Sequence, residues 1–97
     1  MHATMRSIKT KPGQVATVAE LIRAEYLPML DDIEGFVSYT LVEVGDDSVS
    51  SLGVFTGADA ADRANAKAKA WTAERLTPYV DSPLSAHAGA VLIAYPG

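Results

Sequence analysis

The 97-residue chain contains no cysteine. Disulfide bonds, thiolate nucleophiles and cysteine-ligated zinc or iron–sulfur sites are therefore excluded, and the composition fits a cytoplasmic protein. Residues 1–6 lack the apolar core that a signal peptide needs. The longest apolar run near the C-terminal end covers residues 90–95, far short of the roughly 20 residues of a membrane-spanning helix. We expect no association with a membrane.

Basic residues are few: the chain has eight Lys and Arg residues and twelve Asp and Glu residues, which gives a net charge of −4. No basic stripe is available to neutralise phosphates, so nucleic acid is an unexpected partner. The acidic group Asp31, Asp32 and Glu34 has no spacing that resembles a calcium loop. We read it as a solvated loop, and the sequence predicts neither a metal site nor a cofactor.

Apolar residues are abundant for so short a chain, at 48% of the sequence against 21% charged residues. The length predicts one domain over residues 1–97. A domain of this size has mostly surface positions, so its apolar surplus has little interior to fill. The surplus therefore predicts contact with another protein surface.

Hydrophobic periodicity predicts alternating strands and helices. The predicted elements are a strand over 1–9, a helix from 12 to about 26, strands over 36–44 and 48–56, a helix from 60 to about 76, and a strand over 88–95. Pro28 is expected to kink or end the first helix, and residues 79–87 are expected to be irregular. This order, β-α-β-β-α-β, predicts a ferredoxin-like α+β fold: a four-stranded antiparallel sheet with two helices on one face.

Burial patterns within these elements predict how the layers pack. The helical residues expected to face the sheet are Val15, Val18, Ala19, Ile22, Tyr26, Ala61, Ala64, Ala68 and Trp71. The strands over 36–44, 48–56 and 88–95 are apolar on both faces, with Tyr39 on the face opposite Phe36. A sheet face washed by solvent should alternate with polar residues. We therefore expect a homodimer in which the helix-free faces of two sheets pack together.

Several local phrases resemble those of a known family. They are Lys11-Pro12-Gly13 before the first helix, Glu34-Gly35-Phe36 before the second strand, Val54-Phe55 ending the third, and an alanine-rich helix with Trp71. In this order they resemble the dimeric α/β-barrel superfamily, and within it the small antibiotic biosynthesis monooxygenase-like proteins. The resemblance implies a dimer with a cavity between helices and sheet in each subunit. Some members oxidise small aromatic molecules with O₂ and no metal or flavin.

Haem degradation, an activity of other members, is not expected here. Those members use an Asn on the first strand, and a Trp and a His about three helical turns apart. Trp71 matches the Trp, but the first strand contains no Asn and the residue ten positions after Trp71 is Asp81.

The candidate site combines aromatic and titratable side chains. We predict Trp71 as a stacking wall, Tyr39 as a hydrogen-bond donor and His87 as a base, with Tyr26 and Phe55 completing the substrate-binding surface. Each has a structural alternative: Trp71 and the tyrosines as core residues, and His87 as an exposed loop residue. Asn65 is expected at the surface, and Arg6 and Arg63 in ion pairs with acids at the interface.

Two functions remain open from the sequence. One is a cofactor-independent monooxygenase acting on a small aromatic or hydrophobic molecule in the helix–sheet cavity. The other is a non-catalytic dimeric domain that binds a small ligand or a partner. The sequence contains no nucleophile turn of the G-x-S-x-G type.

Overall fold

A computed structural model of the chain describes residues 1–96. The strands are β1 His2–Thr10, β2 Phe36–Glu43, β3 Ser48–Phe55 and β4 Val80–Ala90, and the α-helices are α1 Val15–Leu21, α2 Leu27–Asp31 and α3 Ala58–Trp71. The four strands form one sheet in the order β2-β3-β1-β4, and every neighbouring pair is antiparallel. The predicted ferredoxin-like α+β fold is confirmed.

The first helical region passes Pro28 without ending. A π-helical turn over Ile22–Tyr26 joins α1 to α2, and the Leu27 amide donates to the carbonyl of Ile22, five residues earlier. Pro28 then lies in the first turn of α2, where a missing N–H is tolerated. The helical region therefore does not end at Pro28, although the π turn separates a short α2 from α1, and Asp31, which we placed beyond the helix, is its last residue.

The last strand is displaced from its predicted position. We expected an irregular segment over 79–87 and a strand over 88–95, but β4 spans Val80–Ala90 and residues 91–96 form no regular element. Because β4 is an edge strand, it tolerates Pro83, which pairs with Ile8 where the register shifts. Leu92 and Ile93, whose apolar character suggested a covered strand, are 91% and 87% exposed.

A register shift in β2 changes which side chains face the helices. The shift falls between Phe36 and Ser38, so Phe36, Tyr39 and Leu41 all pack against the core. Our expectation that Tyr39 and Phe36 lie on opposite faces is therefore wrong. A β-bulge of this kind inserts one unpaired residue and reverses the alternation beyond it.

The core lies between the two helical regions and one face of the sheet. Its buried members from the predicted stripes are Val18, Ile22, Tyr26, Ala61, Ala64, Ala68 and Trp71. Phe55 from β3 is the largest fully buried side chain, at 1% exposure. The buried alanines of α3 are small, which lets this helix lie close to the sheet.

Candidate functional site

A cavity of about 330 Å³ lies between the helices and the sheet. Its walls are largely apolar, and they come from all four strands and from both helical regions. The residues that the following argument uses are Arg6, Tyr26, Tyr39, Ser51, Phe55, Asn65, Ala68 and Trp71. Pockets of roughly 300–1,000 Å³ with apolar walls and a few polar groups are typical of small-molecule sites.

Both helical regions contain a π-helical turn at this cavity. The turns span Ile22–Tyr26 and Thr72–Leu76, and the first and last residues of each turn line the cavity. A π turn accommodates one extra residue and so re-aims the side chains that follow it. Such turns occur frequently at functional sites.

Three aromatic rings form one wall. Tyr26 stacks on Trp71 with ring centroids 5.3 Å apart and an angle of 29° between the planes. Tyr26 also meets Tyr39 edge to face, with centroids 5.8 Å apart. Offset and edge-to-face pairs of this kind are attractive beyond the area that they bury. The wall therefore presents fixed aromatic surface to a ligand.

The indole of Trp71 is held by a charged pair. Its Nε1 donates to Glu25 Oε1 at 3.3 Å, and Arg75 donates from Nε and Nη2 to the two carboxylate oxygens at 2.8 and 2.9 Å. The bidentate geometry fixes the carboxylate, and the carboxylate fixes the indole. The hydrogen bond from Arg75 is the main cause of a lowered pKa for the Glu25 carboxyl.

The lowered pKa of Glu25 predicts an acid-sensitive contribution to stability. The carboxylate is favoured in the folded state, so this contribution is present above the ordinary value of 4.5 and is lost as the pH falls through the lowered pKa. We expect Trp71 fluorescence to shift in that range before global unfolding. In Glu25→Gln the shift should be absent. An identical acid transition in both proteins would show that Glu25 does not orient the indole.

The tyrosine hydroxyls in the cavity are neutral donors at physiological pH. Burial raises the pKa of Tyr26 to about 12 and also raises the pKa of Tyr39, which is opposed by a hydrogen bond with Ser51. Arg6 opposes both shifts slightly, because its positive charge lies near the two hydroxyls. A buried, neutral phenol stabilises an adjacent oxyanion by donating a hydrogen bond.

Arg6 extends from β1 into the cavity and contacts α3. Its Nη2 donates to the main-chain carbonyl of Asn65 at 3.3 Å and to Asn65 Oδ1 at 3.4 Å. Its Nε is buried and has no hydrogen-bond partner among residues 1–96. Within the described residues Arg6 forms no ion pair, since the ion pairs there are Glu20–Arg23 and Glu25–Arg75. Arg63 likewise donates to the carbonyl of Glu34 rather than to a carboxylate.

The structure brings four of the five predicted site residues together. Tyr26, Tyr39, Phe55 and Trp71 all line the cavity, and His87 does not. His87 lies within β4 rather than in a loop, and it pairs with Met5. Met5 is exposed on the sheet face away from the helices, so His87 lies on that face as well. The geometry separates His87 from Tyr39 and Trp71.

Two polar residues of the cavity were missed from the sequence. Arg6 was expected at an interface and Asn65 at the surface, yet each lines the cavity and they contact each other. The alternation of side chains along β1 could have located Arg6, because it places Arg6 on the same strand face as Thr4 and Ile8, which also line the cavity. A charged Arg on a strand face that helices cover needs polar partners in the interior, and this need indicates a contact with another element.

Metal-ligating residues do not cluster in the described chain: no group of three or more His, Asp or Glu side chains lies close enough to hold an ion. In the same residues, no helix has the length and apolar character that crossing a bilayer requires.

Comparison with known proteins identifies the fold. No protein-family profile matches the chain, and no curated protein matches it either. Solved structures do match. The cofactor-independent oxygenase SnoaB from Streptomyces nogalater is 20% identical, with a TM-score of 0.75 over 99% of this chain and 97% of its own. A protein from Chloroflexus aurantiacus, assigned as an antibiotic biosynthesis monooxygenase, is 13% identical, with a TM-score of 0.71 over 97% and 95%.

A further neighbour has no known function. It comes from Nitrosomonas europaea and is 22% identical, with a TM-score of 0.76 over 96% of this chain and 90% of its own. The chain therefore has the same fold as these solved structures, which include an antibiotic biosynthesis monooxygenase-like protein and a cofactor-independent oxygenase. The resemblance drawn from the sequence is confirmed at the level of the fold.

Proposed function

We propose that the chain binds a small aromatic molecule in the helix–sheet cavity and promotes its oxidation by O₂ without a cofactor. The observation that carries this proposal is the cavity itself, an apolar space of about 330 Å³ with polar groups at a few positions. A core that only had to be stable would be filled to close packing. The neighbour described as a cofactor-independent oxygenase supports the choice of chemistry.

The reaction requires an acidic carbon in the substrate. Loss of a proton from a CH₂ group that is conjugated with a ketone through an aryl ring gives an enolate, which bonds to O₂ and is protonated to a hydroperoxide. Loss of water then leaves a new carbonyl, so that R₂CH₂ and O₂ become R₂CO and H₂O. The cavity contributes the stacking surface of Trp71 and neutral donors from Tyr26 and Tyr39 for the enolate oxygen. Water takes the first proton.

A second candidate function is ligand binding without turnover. It is favoured by one observation: among the described residues, no carboxylate or imidazole lines the cavity to act as a base. Under this alternative the same aromatic wall would hold a ligand that the chain stores or senses. The two functions share the site and differ in whether O₂ is consumed.

Filling the cavity provides the test of the site. Ala68 is 5% exposed and lines the cavity from α3, so Ala68→Leu projects three more carbons into it. Anthrone, a tricyclic aryl ketone with an acidic CH₂, is a suitable probe, and quenching of Trp71, the sole tryptophan, reports binding. We expect Ala68→Leu to weaken binding by at least about tenfold, a loss of about 1.4 kcal/mol, while circular dichroism shows that the variant is folded.

The matched control is Ala70→Leu, at an exposed position of the same helix. It should bind anthrone like the wild type. Oxygen uptake above the buffer blank would support the oxygenase, and saturable binding without uptake would support the second candidate. Quenching that is absent in the wild type, or that is equal in both leucine variants, would contradict a ligand site in the cavity.

We also propose that a second copy of the chain covers the helix-free face of the sheet. This face bears exposed apolar side chains from three strands, including Met5, Val42 and Leu52. It is less apolar than expected, because Ser7 and Ser50 share a hydrogen bond of 2.6 Å on it. The solvent-accessible surface of 6005 Å² exceeds the about 5,300 Å² expected for a folded monomer of this mass.

The segment after β4 also exposes large apolar side chains. Leu92, Ile93 and Tyr95 are between 87% and 94% exposed, which is unusual for three large apolar side chains in succession. A two-fold axis through the helix-free face would place one such segment at each end of the interface. The proposed dimer therefore covers both the face and the segments that follow β4.

A further inference from the structure

Arg6 is the one charged side chain that lines the cavity in the described part of the chain. No Asp or Glu lies on the cavity wall, and the nearby Glu25 carboxylate is already engaged by Arg75 and Trp71. The positive charge of Arg6 therefore faces an apolar space without a counter-charge from the chain itself.

The hydrogen bonds of Arg6 are also incomplete. The guanidinium has five donor hydrogens, and its two hydrogen bonds, both from Nη2, go to neutral oxygens of Asn65. Nε is buried without a partner. Leaving a buried donor unsatisfied costs about 1–3 kcal/mol, and more for a charged group. An oxygen of a bound ligand would supply the acceptor that Arg6 Nε lacks and so remove this cost.

We propose that Arg6 binds an anionic oxygen of the ligand, so that the cavity selects aromatic carboxylates or phenolates over neutral aromatics of the same shape. This inference rests on the proposed function, because it assumes that an aromatic ligand enters the cavity. A carboxylate along the edge formed by Nε and Nη2 accepts from both nitrogens, which is the geometry that makes Arg–carboxylate pairs strong. Asn65 holds Nη2 in place and acts as a positioning residue.

The neighbours of Arg6 fit the same ligand. The hydroxyls of Tyr26 and Tyr39 lie close enough to feel the positive charge of Arg6, and the indole of Trp71 stacks against Tyr26. A ligand with its ring against this aromatic wall and its anionic group towards β1 would contact all four side chains. Ring and charge would then be recognised by different walls of one cavity.

A pair of probes that differ only in charge tests the proposal. 2-Naphthoate and 2-naphthamide have nearly the same shape, and at pH 7.5 only the first is an anion. We expect the wild type to bind naphthoate at least about tenfold more tightly, as a charge-assisted hydrogen bond allows. In Arg6→Gln this preference should disappear, because naphthoate loses more affinity than naphthamide. Arg63→Gln, at an exposed arginine outside the cavity, should keep the preference.

The outcomes separate this inference from the function on which it rests. Equal affinity of the wild type for the two probes, with saturable binding of both, would overturn the role of Arg6 and leave the aromatic site intact. A preference for naphthoate that survives in Arg6→Gln would also overturn it. Binding of neither probe to the wild type would contradict the aromatic site itself. If Arg6→Gln does not fold, the comparison of the two probes in the wild type and in Arg6→Lys decides the question. Arg6→Lys should lose part of the preference, because Lys cannot bind a carboxylate side-on.

Discussion

Gly35→Ala is expected to lower the Tm by at least about 8 °C. Gly35 has a φ of +96°, and a Cβ there would lie 2.6 Å from Thr56 Oγ1 and 2.9 Å from the Cβ of Ala60. The positive φ costs an L-residue about 1–2 kcal/mol, and overpacking adds about 1–3 kcal/mol. For a domain below 100 residues, each kcal/mol lowers the Tm by about 4–8 °C.

The close approach at Gly35 joins three parts of the fold. The Thr56 amide donates to the carbonyl of Gly35 at 2.7 Å, and Ala60 lies in the first turn of α3. A side chain at Gly35 would therefore push the entry to β2 away from the entry to α3. Rotation about χ1 moves Thr56 Oγ1 away, but the Cβ of Ala60 is fixed to the backbone of α3, so a rotamer change alone does not relieve the strain.

Gly13→Ala is the matched control for this substitution. Gly13 also has a positive φ, of +77°, but a Cβ there would meet no atom within 4 Å. It should therefore carry only the backbone strain and lower the Tm by about 4–16 °C, less than Gly35→Ala does. Thermal unfolding followed by circular dichroism measures both variants. If the two substitutions lower the Tm equally, the contacts of a Cβ at Gly35 with Thr56 and Ala60 do not destabilise the fold.

Leu52→Lys is expected to convert a dimer into a monomer. Leu52 is 41% exposed in one chain and pairs with Met5 of β1 and Thr40 of β2, near the centre of the helix-free face. In the proposed dimer the added ammonium would be buried between two sheets, opposite the same charge of the partner. An unpaired buried charge costs several kcal/mol, which is enough to shift association by more than a hundredfold.

Sedimentation at micromolar concentration measures this prediction. The wild type should sediment at twice the 10.2 kDa mass of one chain, and Leu52→Lys at the mass of one chain. Ala66→Lys, at an exposed position of α3, should remain a dimer because it lies outside the helix-free face. A wild type that sediments as one chain at these concentrations would rule out the dimer.

The fold could be predicted because local and long-range patterns agree. The break at Lys11-Pro12-Gly13 and the helical spacing through Tyr26 mark the first helix, and the turn after Val44 sets the β2–β3 hairpin. Alanines at Ala61, Ala64 and Ala68 identify the buried stripe of α3. These features depend on residues that are close in sequence, so they can be recognised without knowledge of the tertiary structure.

The errors arose where tertiary position overrides local preference. Pro83 argues against a strand unless the strand is known to be at an edge, and edge position is a property of the whole sheet. The apolar character of Leu92 and Ile93 indicates that another surface covers them, but it does not indicate which surface. The bulge after Phe36 and the π turn before Pro28 insert one residue each into a regular period, and simple periodicity cannot place such insertions.

The aromatic part of the site could be predicted and the polar part could not. Tyr26 and Trp71 belong to the apolar stripes of their helices, so periodicity aims both at the sheet. Arg6 and Asn65 are 59 residues apart and meet only through the packing of α3 on β1. His87 was favoured because an imidazole can act as a base, but its face depends on the register of β4 against β1, which the sequence does not specify.

The crystal structure of the complex with 2-naphthoate is the most direct measurement of the central claim, that the space between helices and sheet is a ligand site. We predict the naphthalene ring against Trp71 and Tyr26, and the carboxylate within hydrogen-bond distance of Arg6 Nε. A complex in which the ring occupies the helix-free face, or in which the cavity stays closed to a ligand that binds in solution, would contradict it.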